Sequence, residues 1–305
     1  MDLGAGEVYY TSMNFLDMSF PVSGVETSLL LPPLVALVIS FFTSMGGVTG
    51  AFLILPFQMS FLGYTSPSVS ATNLVYNIVA TPSGVYRYMR EGRMNWPLTW
   101  AIIAGTLPGV FIGYYVRVLY LPDPERFKVF VGVVLLALGA KLFYETAGGR
   151  AKAPEAPGGD FRMRVLSANL RRVEYSFRGS TYSFGTPAIS ALSFAVGIVG
   201  GTYGIGGGAI IAPFLVAVLG LPVHTVAGAA IAGTLVTSVV GVIFYSALPS
   251  PVQTSPDWAL GALFGAGGFV GMYLGARLQR RVPQRLIKGM LAAVLLGLSI
   301  KYILL

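Results

Sequence analysis

The residues best suited to hold a ligand are glycines, hydroxyls and amides rather than acids, bases or thiols. Gly47, Thr49 and Gly50 stand in the run Gly46-Gly47-Val48-Thr49-Gly50-Ala51-Phe52-Leu53-Ile54-Leu55-Pro56-Phe57. Gly204, Gly206, Gly207 and Gly208 stand in Gly204-Ile205-Gly206-Gly207-Gly208-Ala209-Ile210-Ile211-Ala212-Pro213-Phe214. Glycines let backbone N–H groups approach a ligand closely, and a helix that starts there adds about half a positive charge at its N-terminus. That combination suits an anion. Beyond the first run, Asn73, Tyr76, Asn77, Ala80, Thr81 and Gly84 recur at spacings of three and four, so they share one helix face. Ala230, Gly233, Thr234, Thr237, Ser238 and Gly241 form the matching face after the second. Asn73, Tyr76, Asn77, Thr234, Thr237 and Ser238 are the expected side-chain contacts; the same faces also suit interhelical hydrogen bonding and close packing.

These residues belong to a repeat. Gly47 and Gly204, Gly50 and Gly207, Pro56 and Pro213, and Tyr88 and Tyr245 are each 157 positions apart. Further on, Asn95-Trp96 matches Asp257-Trp258, and Gly105, Gly109 and Gly113 match Gly267, Gly271 and Gly275, now at an offset of 162. Glycines four apart permit close helix packing in lipid, and that is the role expected of them here.

Of 305 residues, 54% are hydrophobic and only 10% charged, far below the roughly 25% charged of a soluble protein. The expected fold is an all-α polytopic membrane protein; a β-barrel would show alternation in segments of about 10 residues. The net charge of +8 lies in loops between apolar segments, where it serves orientation and lipid headgroups rather than nucleic acid. The chain has no cysteine and one histidine, His224, which excludes disulfides, thiolate metal sites and a multi-histidine centre; no cofactor is expected. No basic region precedes the first apolar run, so no cleavable signal peptide is expected.

Residues 1–25 lack Lys and Arg, and Tyr9, Tyr10, Phe15, Leu16, Met18 and Phe20 suit an extracytoplasmic interfacial segment or a frayed end. The first membrane repeat covers 26–144: an apolar run from Glu26 to Ser44, the glycine cluster, the short run Phe52–Leu62, and spans at Ser68–Tyr88, Trp96–Leu119 and Phe127–Tyr144. Residues 145–184 are a basic linker, with strand-like alternation in Phe161–Val165 and Val173–Phe177 pointing to a small hairpin. The second repeat covers 185–305: Ala188–Gly200, the second cluster, Ile210–Leu219, and spans at His224–Ala247, Trp258–Arg277 and Leu286–Leu305. Eleven residues after the first cluster reach about 17 Å of a hydrocarbon core about 30 Å thick. Short segments of this kind, in matching positions of two halves, point to a transporter's binding site.

Each half holds an odd number of crossings whether or not its short hairpin re-enters, so the halves have opposite orientations. Arg87, Arg90 and Arg93, the basic residues of 145–184, and Arg277, Arg280, Arg281, Arg285 and Lys288 then fall on one side; Arg117, Arg126 and Lys128 fall on the other. The positive-inside pattern places both termini outside. Inversion aims the two half-helix N-termini at one midplane cavity. With no acid expected at membrane depth, an anion moving out down the potential needs no coupling ion.

The doubled Gly-x-Gly-Gly-Gly…Pro arrangement, complete at Gly204–Gly208 with Pro213, resembles the TauE/SafE family of sulfite and sulfonate exporters. The resemblance covers nearly all of the chain outside residues 1–25 and 150–184. It implies an inner-membrane, multi-pass transporter of sulfur-containing anions such as sulfite, sulfoacetate or thiosulfate. Thr49 and Ala51 replace the glycines at 206 and 208, so the two half-sites differ, and the absence of cysteine argues against the family's thiosulfate-uptake branch. Two rival readings are an anion channel or uptake carrier and a binding protein without transport. A third, an intramembrane serine protease, rests on Ser83 and His224 but lacks the glycine two residues before the serine.

Overall fold

The computed structural model describes residues 17–45, 48–147, 162–279 and 284–304. Its first element is a hairpin rather than an apolar segment: β1 (Asp17–Phe20) pairs antiparallel with β2 (Val25–Ser28), from Asp17↔Ser28 to Phe20↔Val25. The turn between them docks through Ser23, whose N–H and hydroxyl both donate to Asp257 Oδ2 (3.1 and 2.9 Å). Phe20 is buried while Met18 is exposed; Tyr9, Tyr10, Phe15 and Leu16 lie outside the described residues.

Five helices follow: α1 (Leu31–Met45), α2 (Ala51–Phe61), α3 (Ser68–Arg90), α4 (Trp96–Tyr115, continued by a π-helical segment Val116–Tyr120) and α5 (Pro124–Ala147). α1 starts five residues later than Glu26, because residues 25–28 are paired in β2; Pro32 and Pro33 sit in its first turn, where no intrahelical N–H is needed. The linker carries a three-stranded antiparallel sheet of β3 (Arg164–Ala168), β4 (Arg172–Phe177) and β5 (Ser180–Gly185). The expected hairpin is its β3–β4 pair, with Val165 opposite Tyr175. The third strand turns at Arg178-Gly179, both at positive φ (53° and 76°), the backbone a two-residue hairpin turn requires. Then come α6 (Thr186–Tyr203), α7 (Gly207–Leu219), α8 (Val223–Ala247), α9 (Trp258–Leu278) and α10 (Gln284–Leu304).

Matching positions make matching caps. Asn95 Oδ1 accepts from Leu98 N at the start of α4, and Asp257 Oδ1 from Leu260 N at the start of α9 (3.2 and 3.1 Å). Each cap satisfies one of the N–H groups that a helix start leaves open. Among the described residues, five helices are long and apolar enough to cross a membrane: Trp96–Tyr120, Pro124–Tyr144, Thr186–Tyr203, Val223–Ala247 and Trp258–Leu278. The protein is a helical polytopic membrane protein. α6 is longer than its apolar run predicts. α3 has the length of a span, 23 residues, but Ser70, Asn73, Asn77 and Thr81 lower its hydropathy; all four are buried in protein.

The two halves are packed through each other. α4 lies along α6, and α9 along α1. A Cβ added at Gly105, Gly109 or Gly113 would run into the backbone of Ser190, Phe194 and Ile198, and one at Gly267, Gly271 or Gly275 into that of Pro33, Leu37 and Phe41. The contacted residues of α1 and α6 are themselves 157 positions apart. The glycine stripes therefore serve close packing, as expected. α5 pairs with α10, and α3 with both α8 and α9. The sheet rests on the start of α8, where Tyr175 Oη meets Thr225 Oγ1 (3.0 Å) and Phe177 faces His224.

Replacing Gly271 by leucine forces α9 away from α1. Overpacking of this kind costs about 1–3 kcal/mol or more, so G271L is expected to lower the thermal midpoint in detergent. Gly297→Ala, where an added Cβ meets no atom within 4 Å, is expected to hold or raise it.

Candidate functional site

The second glycine cluster is built on two backbone conformations that favour glycine. Gly204 ends α6 in the left-handed region (φ 82°, ψ 28°), its N–H returning to Gly200 O. Gly206 (φ 72°, ψ 150°) then redirects the chain into α7, in a region closed to residues with a Cβ. The first cluster solves the same problem differently. Gly50 caps α2 in an ordinary helical conformation (φ −70°, ψ −11°), and Thr49 needs no positive φ. The threonine at the position matching Gly206 is therefore compatible with its backbone. Gly47 lies outside the described residues.

Helix α3 binds the two turns together. Asn73 Nδ2 donates to Ala51 O and to Gly204 O, both at 2.9 Å, and Asn77 Nδ2 donates to Ile205 O at 3.0 Å. Tyr203 Oη donates to Phe52 O at 2.9 Å. The start of α2 and the turn before α7 thus lie within two hydrogen bonds of each other. Tyr76 Oη accepts from Gly50 N (3.2 Å) and bonds Ser40 Oγ (2.7 Å), so that phenol is committed to holding the first turn. On α8, Thr234 and Thr237 donate to Ala230 O and Gly233 O in their own helix. A Cβ built on Gly206 would lie 2.9 Å from Thr234 Cγ2, 3.1 Å from Ser238 Oγ and 3.3 Å from Thr237 Oγ1, which places that face of α8 directly against the second turn.

The remaining capacity is mixed. Thr49 Oγ1, Ser238 Oγ, Asn73 Oδ1 and Asn77 Oδ1 are buried without a hydrogen-bond partner. Added to them are the first N–H groups of α7, at Gly207 and Gly208, and of α2, at Ala51 and Phe52, which have no acceptor within their helix. The two hydroxyls and the backbone supply donors; the two amide oxygens supply acceptors. The donors of Asn73 are both occupied, and only its oxygen is left open. The missing Cβ atoms of Gly50, Gly207 and Gly208 are accounted for by neighbours: they would meet Tyr76 Oη, Thr106 Cγ2 and Ala230 O respectively.

Ser40, Ser70, Thr106 and Tyr203 were not singled out from the sequence. Ser70 precedes Asn73 by three residues and so continues its face, and Tyr203 adjoins Gly204; both signals were available. Ser83 and His224 are not brought together. The Ser83 hydroxyl donates to Ala80 O (2.9 Å), while His224 Nδ1 lies 3.2 Å from Arg93 Nη1.

Comparison with known proteins bears on the whole bundle. The family model described as Sulfite exporter TauE/SafE matches residues 33–302. Over 265 residues the chain is 22% identical to Probable membrane transporter protein YunE of Bacillus subtilis, covering 83% of this chain and 89% of that one. Over 264 residues it is 25% identical to Probable membrane transporter protein MamO of Magnetospirillum gryphiswaldense, covering 80% of this chain but only 40% of that protein. No solved structure gives a significant match.

Asn73→Ala removes both bonds that join the turns and leaves the buried Gly204 carbonyl open, while Ala51 O keeps its place in the α2 ladder. At about 1–3 kcal/mol for each unsatisfied group, thermal unfolding in detergent is expected several degrees below wild type, with Thr49→Val close to wild type.

Proposed function

We propose that this chain, which belongs to the sulfite exporter TauE/SafE family, carries a small sulfur-containing anion out of the cell through the site between its two broken helices. The observation that supports this best is the convergence at α3: the start of α2 and the turn before α7 held together by Asn73, with buried hydroxyls from both halves left unpartnered. Helix starts and hydroxyls favour oxyanions, because several donors can each take a separate oxygen. The two free amide oxygens favour a ligand that also donates, such as hydrogensulfite or a hydrated sulfonate. The names of the relatives, probable membrane transporters, agree with transport as the activity.

The halves are read as inverted repeats. The exchange of partners, α1 on α9 and α6 on α4, is what a two-fold axis between the halves produces, and the odd number of crossings per half gives the axis its direction. The linker sheet then lies in the cytoplasm of a plasma-membrane protein, with both termini outside. Export follows from energetics: one negative charge leaving a negative interior gains about 2.3 kcal/mol per 100 mV.

In proteoliposomes with an imposed potential, sulfite or an organosulfonate is expected to move with saturable kinetics, and Thr49→Val with Ser238→Ala is expected to raise KM several-fold without loss of stability. Failure of every sulfur oxyanion and sulfonate to move would sink the substrate class; unsaturable flux would indicate a channel. The chain lacks cysteine, so Ser167→Cys on the exposed β3 strand should react with an impermeant thiol reagent only from the cytoplasmic face. Labelling from outside would reverse the assigned topology.

A further inference from the structure

Two arginines of the bundle, Arg93 and Arg117, are fully buried, and they are treated very differently. Arg93 is neutralised: its guanidinium pairs with Glu91, with Gln279 Oε1 at 3.3 Å and His224 Nδ1 at 3.2 Å. Arg117 has no carboxylate within ion-pair distance among the described residues. Its Nε donates to Ser70 Oγ at 3.3 Å and its Nη1 to Leu121 O. The guanidinium lies 3.7 Å over the Phe127 ring, and Nη2 has no partner at all.

The position is informative. Arg117 and Gln279 are 162 residues apart, the offset that relates the two glycine-striped helices, so they occupy matching places. Gln279 is neutral and reaches the end of α1, with Nε2 donating to Met45 O at 3.2 Å. Arg117 reaches the end of α6 through Ser70, whose hydroxyl donates to Thr202 O at 3.4 Å and whose backbone abuts Gly204. Met45 and Thr202 are again 157 apart. The second half therefore places a neutral amide beside the first half's glycine turn, and the first half places a cation beside the second's. Arg117 also sits in the π-helical segment, a distortion that concentrates at functional sites. Ser70 precedes Asn73 by three residues, roughly 4.5 Å of helix rise, which puts the cation about one turn of α3 from the central site.

A buried cation without a protein counter-charge is costly, and within a membrane protein it marks an ion pathway by default. We propose that Arg117 is a second anion subsite, flanking the Gly204 turn on the side of the bundle away from Arg93, and that the transported anion itself is its counter-ion. This rests on the reading of the chain as an anion carrier. The planar fork with a free Nη2 matches a sulfo or sulfite group, which presents several oxygens, better than a halide, which presents one centre.

The test uses Arg117→Gln, which installs the residue found at the matching position, and Arg117→Lys, which keeps the charge but loses the fork. Sulfite affinity is read from the ligand-induced shift in thermal midpoint in detergent, with sulfite and chloride flux read in proteoliposomes. The expected result is a ligand-free midpoint close to wild type in R117Q, a KM for sulfite raised at least tenfold, and an intermediate KM with weakened preference for sulfite over chloride in R117K. Wild-type KM in either folded variant overturns the subsite, and failure of both to fold assigns Arg117 to holding Leu121 instead. A wild-type protein that neither binds nor moves any sulfur oxyanion would overturn the carrier reading itself, whatever the variants do.

Discussion

Everything in the bundle depends on how it accommodates two interruptions of backbone hydrogen bonding at depth. A broken helix exposes carbonyls on one side and N–H groups on the other, and hydrocarbon offers neither a partner. The α3 amides close the carbonyl side of the second break, Asn73 taking Gly204 O and Asn77 Ile205 O, and Asn73 also ties that turn to Ala51 O at the start of α2. The N–H side is left to Tyr76 at Gly50 and otherwise remains available. This division of labour satisfies the carbonyls of the break and leaves N–H groups open on its other side.

That arrangement requires the two halves to be held at a fixed separation. The glycine stripes of α4 and α9 do this by removing side chains from the α4–α6 and α1–α9 contacts, so that backbone meets backbone. Each broken helix is thereby clamped by a continuous helix of the other half. Neither half buries its interruption alone: α3 and α8 cover the turn of their own half, and the other half supplies the clamp.

The sequence made the periodic features readable. The glycine stripes, the correspondence of Asn95 with Asp257, the short α2 and α7, and the polar face of α3 all follow from spacing, because spacing fixes which residues share a face. It could not show direction within a face. Asn73 and Asn77 were expected as donors to a ligand, and their N–H groups turn instead to backbone carbonyls that only the folded chain brings near. Tyr76 is spent in the same way on Gly50. The strand β5 escaped because Ser180-Thr181-Tyr182-Ser183 alternates weakly, and the boundary of α1 shifted because Val25–Ser28 found a strand partner. Arg117 was expected near the end of the Trp96–Leu119 span, among the basic residues of the outer side; in the structure it is buried within the π-helical segment.

The caps at Asn95 and Asp257 differ by one atom, and that atom decides the architecture of one end of the molecule. An amide cap has one acceptor, which Leu98 N occupies; its Nδ2 is buried without a partner. A carboxylate has a second, and Asp257 offers it to Ser23, drawing the β1–β2 hairpin down onto the bundle, while its own N–H is taken by Thr72 Oγ1 at 2.8 Å. Here a change from nitrogen to oxygen gives one cap a socket for a hairpin and leaves its counterpart without one.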